Sequence, residues 1–315
     1  MKYFILSEAV VVSVSGTQAE RYLQARLTND MKLLAPRRAI LAGVLTPQGR
    51  TEALMTALST AQNSFVLFAD GGKPDSILEA LKRFVVTERI EFADVSSQFV
   101  VLHLIPSREK DDLGALVPAP PVHGEEFSRI TAGALEFISR RRSLDWGWDV
   151  IVPAAQISTF IERLHEKEAV ELSPEQRLLL RLRAGVPLFP VEINSEHIFS
   201  ESGLSQAISF TKGCYTGQEV IAKIDALGKP PRLLCRVSMP GAIEVSPGTN
   251  VTTSAESRPA GEVLSSAIDN ECGVTLAYVS LRSSIDCTKE KLLIGSTEAT
   301  VVVDATAPNR TGLRT

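Results

Sequence analysis

The sequence predicts an α+β protein that ends in a small antiparallel β-barrel. Three observations carry this. Residues 1–95 alternate strand-like and helix-like segments in a ferredoxin-like rhythm with one extra strand. A second α+β unit follows over 96–230. From Leu233 onward the chain turns into short β-like runs separated by Pro240-Gly241, Pro247-Gly248 and Gly273, the punctuation of a barrel spanning 231–304. The polar segment 305–315 reads as a flexible tail.

In the first unit, residues 9–14 (Ala-Val-Val-Val-Ser-Val) read as a strand, and Thr17-x-x-Glu20 opens a helix carrying Tyr22, Leu23 and Leu27 through a capping box. Segments 40–45, 52–59 and 64–69 are rich in β-formers and are broken by Pro47-Gln48-Gly49 and Ala61-Gln62-Asn63. Ile77, Leu81 and Phe84 recur at helical spacing before another strand at 89–92. The second unit opens with a strand at 98–104. The prolines at 118–121 mark a loop, residues 134–139 form a strand, and Ile157, Phe160, Ile161 and Leu164 line a helix. The next helix has both ends written: Ser173 caps it, Pro174 takes the first helical position, Gln176 completes a capping box and Gly185 stops it.

The chain has 315 residues, 44% hydrophobic and 22% charged, enough for two or three packed units with ordinary globular balance. A formal net charge of -4 offers no broad basic surface for phosphates, so direct nucleic-acid binding is not expected. No apolar run approaches the roughly 18 residues needed to cross a bilayer, and the N-terminal apolar run is too short for a signal peptide. A cytoplasmic protein with no membrane partner is expected. Four cysteines at 214, 235, 272 and 287 lack Cys-x-x-Cys spacing, which argues against a structural zinc site, a disulfide framework or any tightly bound metal.

The most informative segment is Lys212-Gly213-Cys214-Tyr215-Thr216-Gly217-Gln218-Glu219. Two glycines permit a tight loop that presents Cys214, and Lys212 or Lys223 nearby would favour its thiolate. Cys214 is either a reachable thiol or a small buried hydrophobe in a glycine turn. His103, between Leu102 and Leu104, reads as a structural histidine. Trp146 and Trp148 read as strand packing, and no Ser/His/Asp arrangement stands out.

The octapeptide resembles the signature of the YgfZ-type folate-binding proteins, relatives of the aminomethyltransferase (T-protein) of the glycine cleavage system. Leu23-Gln24-Ala25-Arg26-Leu27-Thr28-Asn29-Asp30 and Leu180-Arg181-Leu182-Arg183-Ala184-Gly185-Val186-Pro187 resemble two further family segments. So do residues 208–210, as a strand leading into the signature, Gly228 with Arg232-Leu233, and Gly261-Glu262-Val263, as a first turn of the barrel. The resemblance implies an aminomethyltransferase-like folate-binding fold, tetrahydrofolate or a derivative as cofactor, and iron-sulfur proteins or their assembly factors as partners. It also implies an accessory role in iron-sulfur cluster assembly or repair that indirectly sustains tRNA modification, with Cys214 as the functional thiol.

Two departures disfavour the transferase's own reaction. The stretch Gly49-Arg50-Thr51-Glu52-Ala53-Leu54 lacks the aspartate expected after its turn, and the pterin-recognising glutamate falls on Arg183, which has hydrogen-bond donors only. The positions that would contact folate are then Arg183, Glu192 as a replacement acceptor, and Lys223 and Arg232 for the anionic tail. A tetrahydrofolate-dependent aminomethyltransferase or demethylase, and a non-catalytic protein-binding scaffold, remain as alternatives.

Overall fold

The computed structural model describes residues 1–106, 125–254, 258–287 and 290–302. The prolines at 118–121, His123 and the tail at 305–315 lie outside them. In chain order the elements begin with β1 (Lys2–Ile5), β2 (Val10–Ser15), α1 (Ala19–Arg26), β3 (Ile40–Leu45), β4 (Thr51–Ala61), β5 (Ser64–Ala69), α2 (Pro74–Lys82) and β6 (Glu91–Asp94). The middle of the chain forms β7 (Phe99–Ile105), β8 (Arg129–Ala132), β9 (Leu135–Arg141), β10 (Trp146–Pro153), α3 (Ile157–Glu166), β11 (Val170–Glu171), α4 (Pro174–Ala184) and α5 (Gln218–Leu227). Six strands close the chain: β12 (Arg232–Pro240), β13 (Asn250–Thr253), β14 (Gly261–Asp269), β15 (Val274–Arg282), β16 (Leu292–Ile294) and β17 (Thr297–Val301).

The strands sort into three bodies. An antiparallel sheet runs β3-β4-β5-β2-β6, a six-stranded sheet runs β11-β1-β7-β10-β9-β8, and β12-β15-β14-β13-β16-β17 close into a barrel. The α+β class with a C-terminal antiparallel barrel is therefore as expected. One strand interleaves the units: β1 pairs antiparallel with β7 in the second sheet, so the first four-residue strand lies outside the unit expected over 1–95. Its sequence, Lys-Tyr-Phe-Ile, is too short to reveal which sheet it joins.

β3 is buried along its whole length and β4 nearly so, because α1 and α2 cover one side of their sheet while the segment around Phe199 covers the edge. The Phe199 ring lies 3.1 Å from where a side chain on Gly43 would begin. Tyr22 ties the two helices together by donating its hydroxyl to Leu81 O at 2.6 Å. In the second sheet, Phe137 and Trp148 meet edge to face with centroids 6.3 Å apart, over Phe160 and Leu164 of α3. Leu182 of α4 packs on Leu276 and Tyr278, which docks that helix on the outside of the barrel. Full burial of each such side chain contributes about 1.5–3 kcal/mol.

Local chemistry at helix ends was legible once and missed once. α4 carries the expected capping box, with Ser173 and Gln176 bonded reciprocally and Gly185 left-handed at φ 66°. α1 does not: its N-cap is Gln18, whose side-chain oxygen accepts Arg89 N–H instead, so Thr17 lies one residue outside the helix. Phe84 falls beyond the end of α2 and is 42% exposed under the Arg26 guanidinium. Residues 208–210 form no strand, since their amides turn back to Ser205 and Thr28. Gly261 opens β14 and is no turn: a Cβ there would stand 2.1 Å from Ser280 O, so the glycine admits close strand approach.

Candidate functional site

Cys214 lies on an irregular loop that runs from Ser209 into the N-terminus of α5, and it is exposed as a free thiol. Its neighbours explain why. Lys212 and Tyr215 both turn inward, at 8% and 7% exposure, leaving Gly213 and Cys214 on the outer side. The Lys212 ammonium donates to Leu27 O and Asn29 O, each at 2.8 Å, and stands 5.3 Å over the Tyr215 ring. Burial pushes its pKa down to about 8, although Asp30 opposes the shift, and burial pushes the Tyr215 phenol up to about 12.

The carbonyls that hold Lys212 belong to the other segment singled out in the sequence. Thr28 donates its hydroxyl to Ala207 O at 2.5 Å and accepts Gly43 N–H at 2.7 Å. The Asn29 amide donates to Leu41 O at 2.8 Å and Gln206 O at 2.9 Å. Ser209 N–H returns to Thr28 O at 3.0 Å, and Thr216 N–H to Ala25 O at 3.2 Å. Residues 23–30 and 209–217 thus form one seat, in which Lys212 is an internal strut. Its charge is directed at backbone carbonyls, contrary to the expectation that it serves the thiol.

Of the two glycines, only Gly217 requires its identity. It has φ 82°, and a Cβ there would stand 2.7 Å from Thr46 O. A Cβ on Gly213 would meet nothing within 4 Å. Gln218 begins α5 half-buried, while Glu219 and Lys223 are exposed along it.

The four expected folate contacts are not brought together. Arg183 reaches Asp269 at 2.6 Å and Glu271 at 2.7 Å, clamping α4 to the barrel; this bond to Arg183 holds Asp269 down at about 2. Glu192 is buried and already accepts from Arg181 at 2.9 Å, from Leu188 N–H at 2.8 Å and from the Ser265 hydroxyl. Beside it, Thr51, His197 and Glu201 border a cavity of about 10 Å³, room for one water molecule and not for a pterin. Arg232 donates to Ser280 Oγ at 3.3 Å, and Lys223 faces solvent.

A larger cavity of about 270 Å³ opens elsewhere. Its walls come from the start of the chain (Phe4, Glu8), from Asp70 and Arg142, and from Arg177 and Arg181 on α4. Arg142 is held rigidly there. Its Nη1 donates to Asp70 at 2.7 Å and its Nε to Asp149 at 2.7 Å, and Asp149 also receives His103 Nδ1 at 2.8 Å. Burial works against the Asp149 charge, but Arg142 and His103 more than offset it, so its carboxyl titrates below the usual range. Burial lowers His103 and keeps it neutral near pH 7. His103 is structural, as expected. The signal for this cavity was present in Arg140-Arg141-Arg142, three arginines at the end of a strand whose neighbours are buried.

Comparison with known proteins agrees with this architecture. The family model described as the GCVT N-terminal domain matches residues 4–212. An uncharacterized protein of Haemophilus influenzae is 25% identical over 305 residues, covering 94% of this chain and 95% of that one. The tRNA-modifying protein YgfZ of Hamiltonella defensa is 27% identical over 258 residues, covering 76% and 73%. The glycine cleavage system aminomethyltransferase T of Bartonella henselae superposes with a TM-score of 0.83 at 16% identity, over 98% of this chain and 86% of that one, a likeness of fold.

Proposed function

The chain belongs to the GCVT N-terminal domain family and is of the YgfZ type, and from that premise we propose that it is a folate-binding accessory protein for iron-sulfur cluster assembly or repair, acting in the cytoplasm and sustaining tRNA modification indirectly. The observation that carries the reading is the exposed Cys214 on a loop whose flanking side chains are anchored inward. Such a loop offers a sulfur to a partner without rearrangement. The Cys214 thiolate would displace one of the partner's cysteine thiolates from an iron of its cluster, and the proton given up by the Cys214 thiol would pass through solvent to the departing sulfur. One thiolate cannot retain a cluster, so the contact suits exchange.

Tetrahydrofolate is assigned to the cavity of about 270 Å³. The volume lies just under the usual range for small-molecule sites, which accommodates a pterin ring with its tail directed outward. Phe4 supplies an aromatic wall and Arg177 a cation. When bound, the group would supply one-carbon carrying capacity.

The transferase alternative needs a free carboxylate near Gly49. The carboxylate present, Glu52, is tied to Arg26 at 2.7 Å and also to Arg83, which disfavours that role. The scaffold alternative predicts that Cys214 is dispensable. Substituting Cys214→Ala, an exposed change expected to leave stability within about 0.5 kcal/mol, should abolish complementation of an iron-sulfur or tRNA-thiomethylation defect. Full rescue by the variant rejects the thiol role in favour of the scaffold.

A further inference from the structure

The cavity presents three arginines, and counting their partners separates them. Arg142 directs its Nε and both terminal nitrogens at Asp70 and Asp149, so two carboxylates already balance its charge. Arg181 is paired with Glu192 at 2.8 Å. Arg177 is different. Among the described residues, its one hydrogen bond runs from Nη1 to Ile5 O at 2.7 Å, and its guanidinium stands 5.5 Å from the Phe4 ring centroid. Glu175, two residues earlier on α4, feels its charge, but that carboxylate accepts the Ser173 hydroxyl at 2.6 Å. Nε and Nη2 of Arg177 therefore have no carboxylate to bind. Guanidinium donors in a fixed fork match a carboxylate two-fold.

We propose that Arg177 is the specificity-determining cation of this cavity and binds a carboxylate on the tail of its ligand. The assignment rests on the folate reading, which makes that carboxylate the glutamyl tail. Arg142 and Arg181 shape the wall and leave the ligand's charge to Arg177. Glu8, also in the wall and without a hydrogen bond or ion pair among the described residues, stands as an acceptor for ring N–H groups. Lys223 and Arg232, which the sequence suggested for the tail, border neither wall.

The test is calorimetric titration, under anaerobic conditions, of wild-type protein, Arg177→Met and Arg177→Lys. The probes are tetrahydrofolate and its glutamyl dimethyl ester, which keeps the shape and removes the tail charge. Wild type should bind tetrahydrofolate at least tenfold more tightly than the diester. Arg177→Met should lose that tenfold for tetrahydrofolate and leave the diester unchanged, and Arg177→Lys should fall between. Equal weakening of both probes by Arg177→Met, or equal binding of both by wild type, overturns the assignment of Arg177 while leaving the folate reading intact. Wild-type protein that binds neither probe rejects the folate reading itself and the assignment with it. Thermal melts of each variant separate lost folding from lost recognition.

Discussion

Replacing Lys212 by methionine removes an ammonium and keeps the stem, so its effect isolates what the buried charge does. In the folded protein the ammonium meets two carbonyls at 2.8 Å and an aromatic face at 5.3 Å. Hydrogen bonds to a charged group contribute about 1.5–3 kcal/mol each, and the ring about 1 kcal/mol more. Against this stands desolvation. The pKa falls from 10.5 to about 8, which corresponds to about 3 kcal/mol. The balance at pH 7 favours the strut by about 1–4 kcal/mol, and Lys212→Met should lower unfolding free energy by that amount, because the Leu27 and Asn29 carbonyls are left unpaired. The sign of the pH dependence is separately diagnostic. Between about pH 8 and 10.5 the unfolded chain keeps its lysine proton while the folded chain has lost it, so stability rises with pH in that window. Urea unfolding of both proteins at pH 7, 8, 9 and 10 should show a wild-type minus variant difference that is flat below pH 8 and climbs above it, by roughly 3 kcal/mol at pH 10.5. Amide exchange at Ser209 and Thr216 should accelerate in the variant, since these N–H groups bond to the same seat. A difference that stays flat through pH 10, with unchanged exchange, would refute the internal strut.

Two further outcomes follow from the same geometry. Arg183→Glu sets a third carboxylate beside Asp269 and Glu271, so it should destabilise the protein by about 2 kcal/mol or more in thermal or urea unfolding. It should not improve tetrahydrofolate affinity; tighter binding with an unchanged melting temperature contradicts the clamp assigned to Arg183. Gly217→Ala forces a side chain into positive φ and to within 2.7 Å of Thr46 O, so a loss of about 1–3 kcal/mol together with loss of Cys214-dependent complementation is expected. Gly213→Ala, which meets open space, is the matched control and should do neither.

Reading the chain from its residues reached the fold through local signals and stopped where function depends on pairing between distant segments. α4 announced both its ends because Ser173, Pro174, Gln176 and Gly185 each act within one helical turn. The barrel strands were audible through their glycine and proline punctuation. The pairing of β1 with β7 was not legible, because four residues carry no information about a partner a hundred positions away. The thiol's exposure follows the same division. Eight residues identified Cys214, but what turns it outward includes the inward anchoring of Lys212 by the Leu27 and Asn29 carbonyls, a contact with a sequence separation of more than 180. The expected folate contacts are not brought together for a stronger reason. Arg183 follows from its position in the family segment, Glu192 and Arg232 from their charge, and neither position nor charge says whether a group is already paired. All three are held by other parts of the chain.

That last point bears on how the two candidate regions relate. Within the wall of the larger cavity, most charges cancel internally, through Arg142 with Asp70 and Asp149 and through Arg181 with Glu192. In the loop seat, buried Lys212 is absorbed by backbone carbonyls and buried Arg26 by Glu52 with the Ala80 and Leu45 carbonyls. Both regions therefore make a rigid frame from saturated charges and leave few reactive or binding groups unmatched among the described residues: Cys214 in one, Arg177 and Glu8 in the other. A saturated frame resists adjustment, so a substitution within it acts through folding, whereas a substitution at the unmatched group acts through binding or exchange. The paired readouts above rest on this distinction, stability for Lys212, Arg183 and Gly217, and affinity or complementation at unchanged stability for Arg177 and Cys214. A protein in which Arg177→Met and Arg183→Glu behaved alike would have its charges arranged on some other plan.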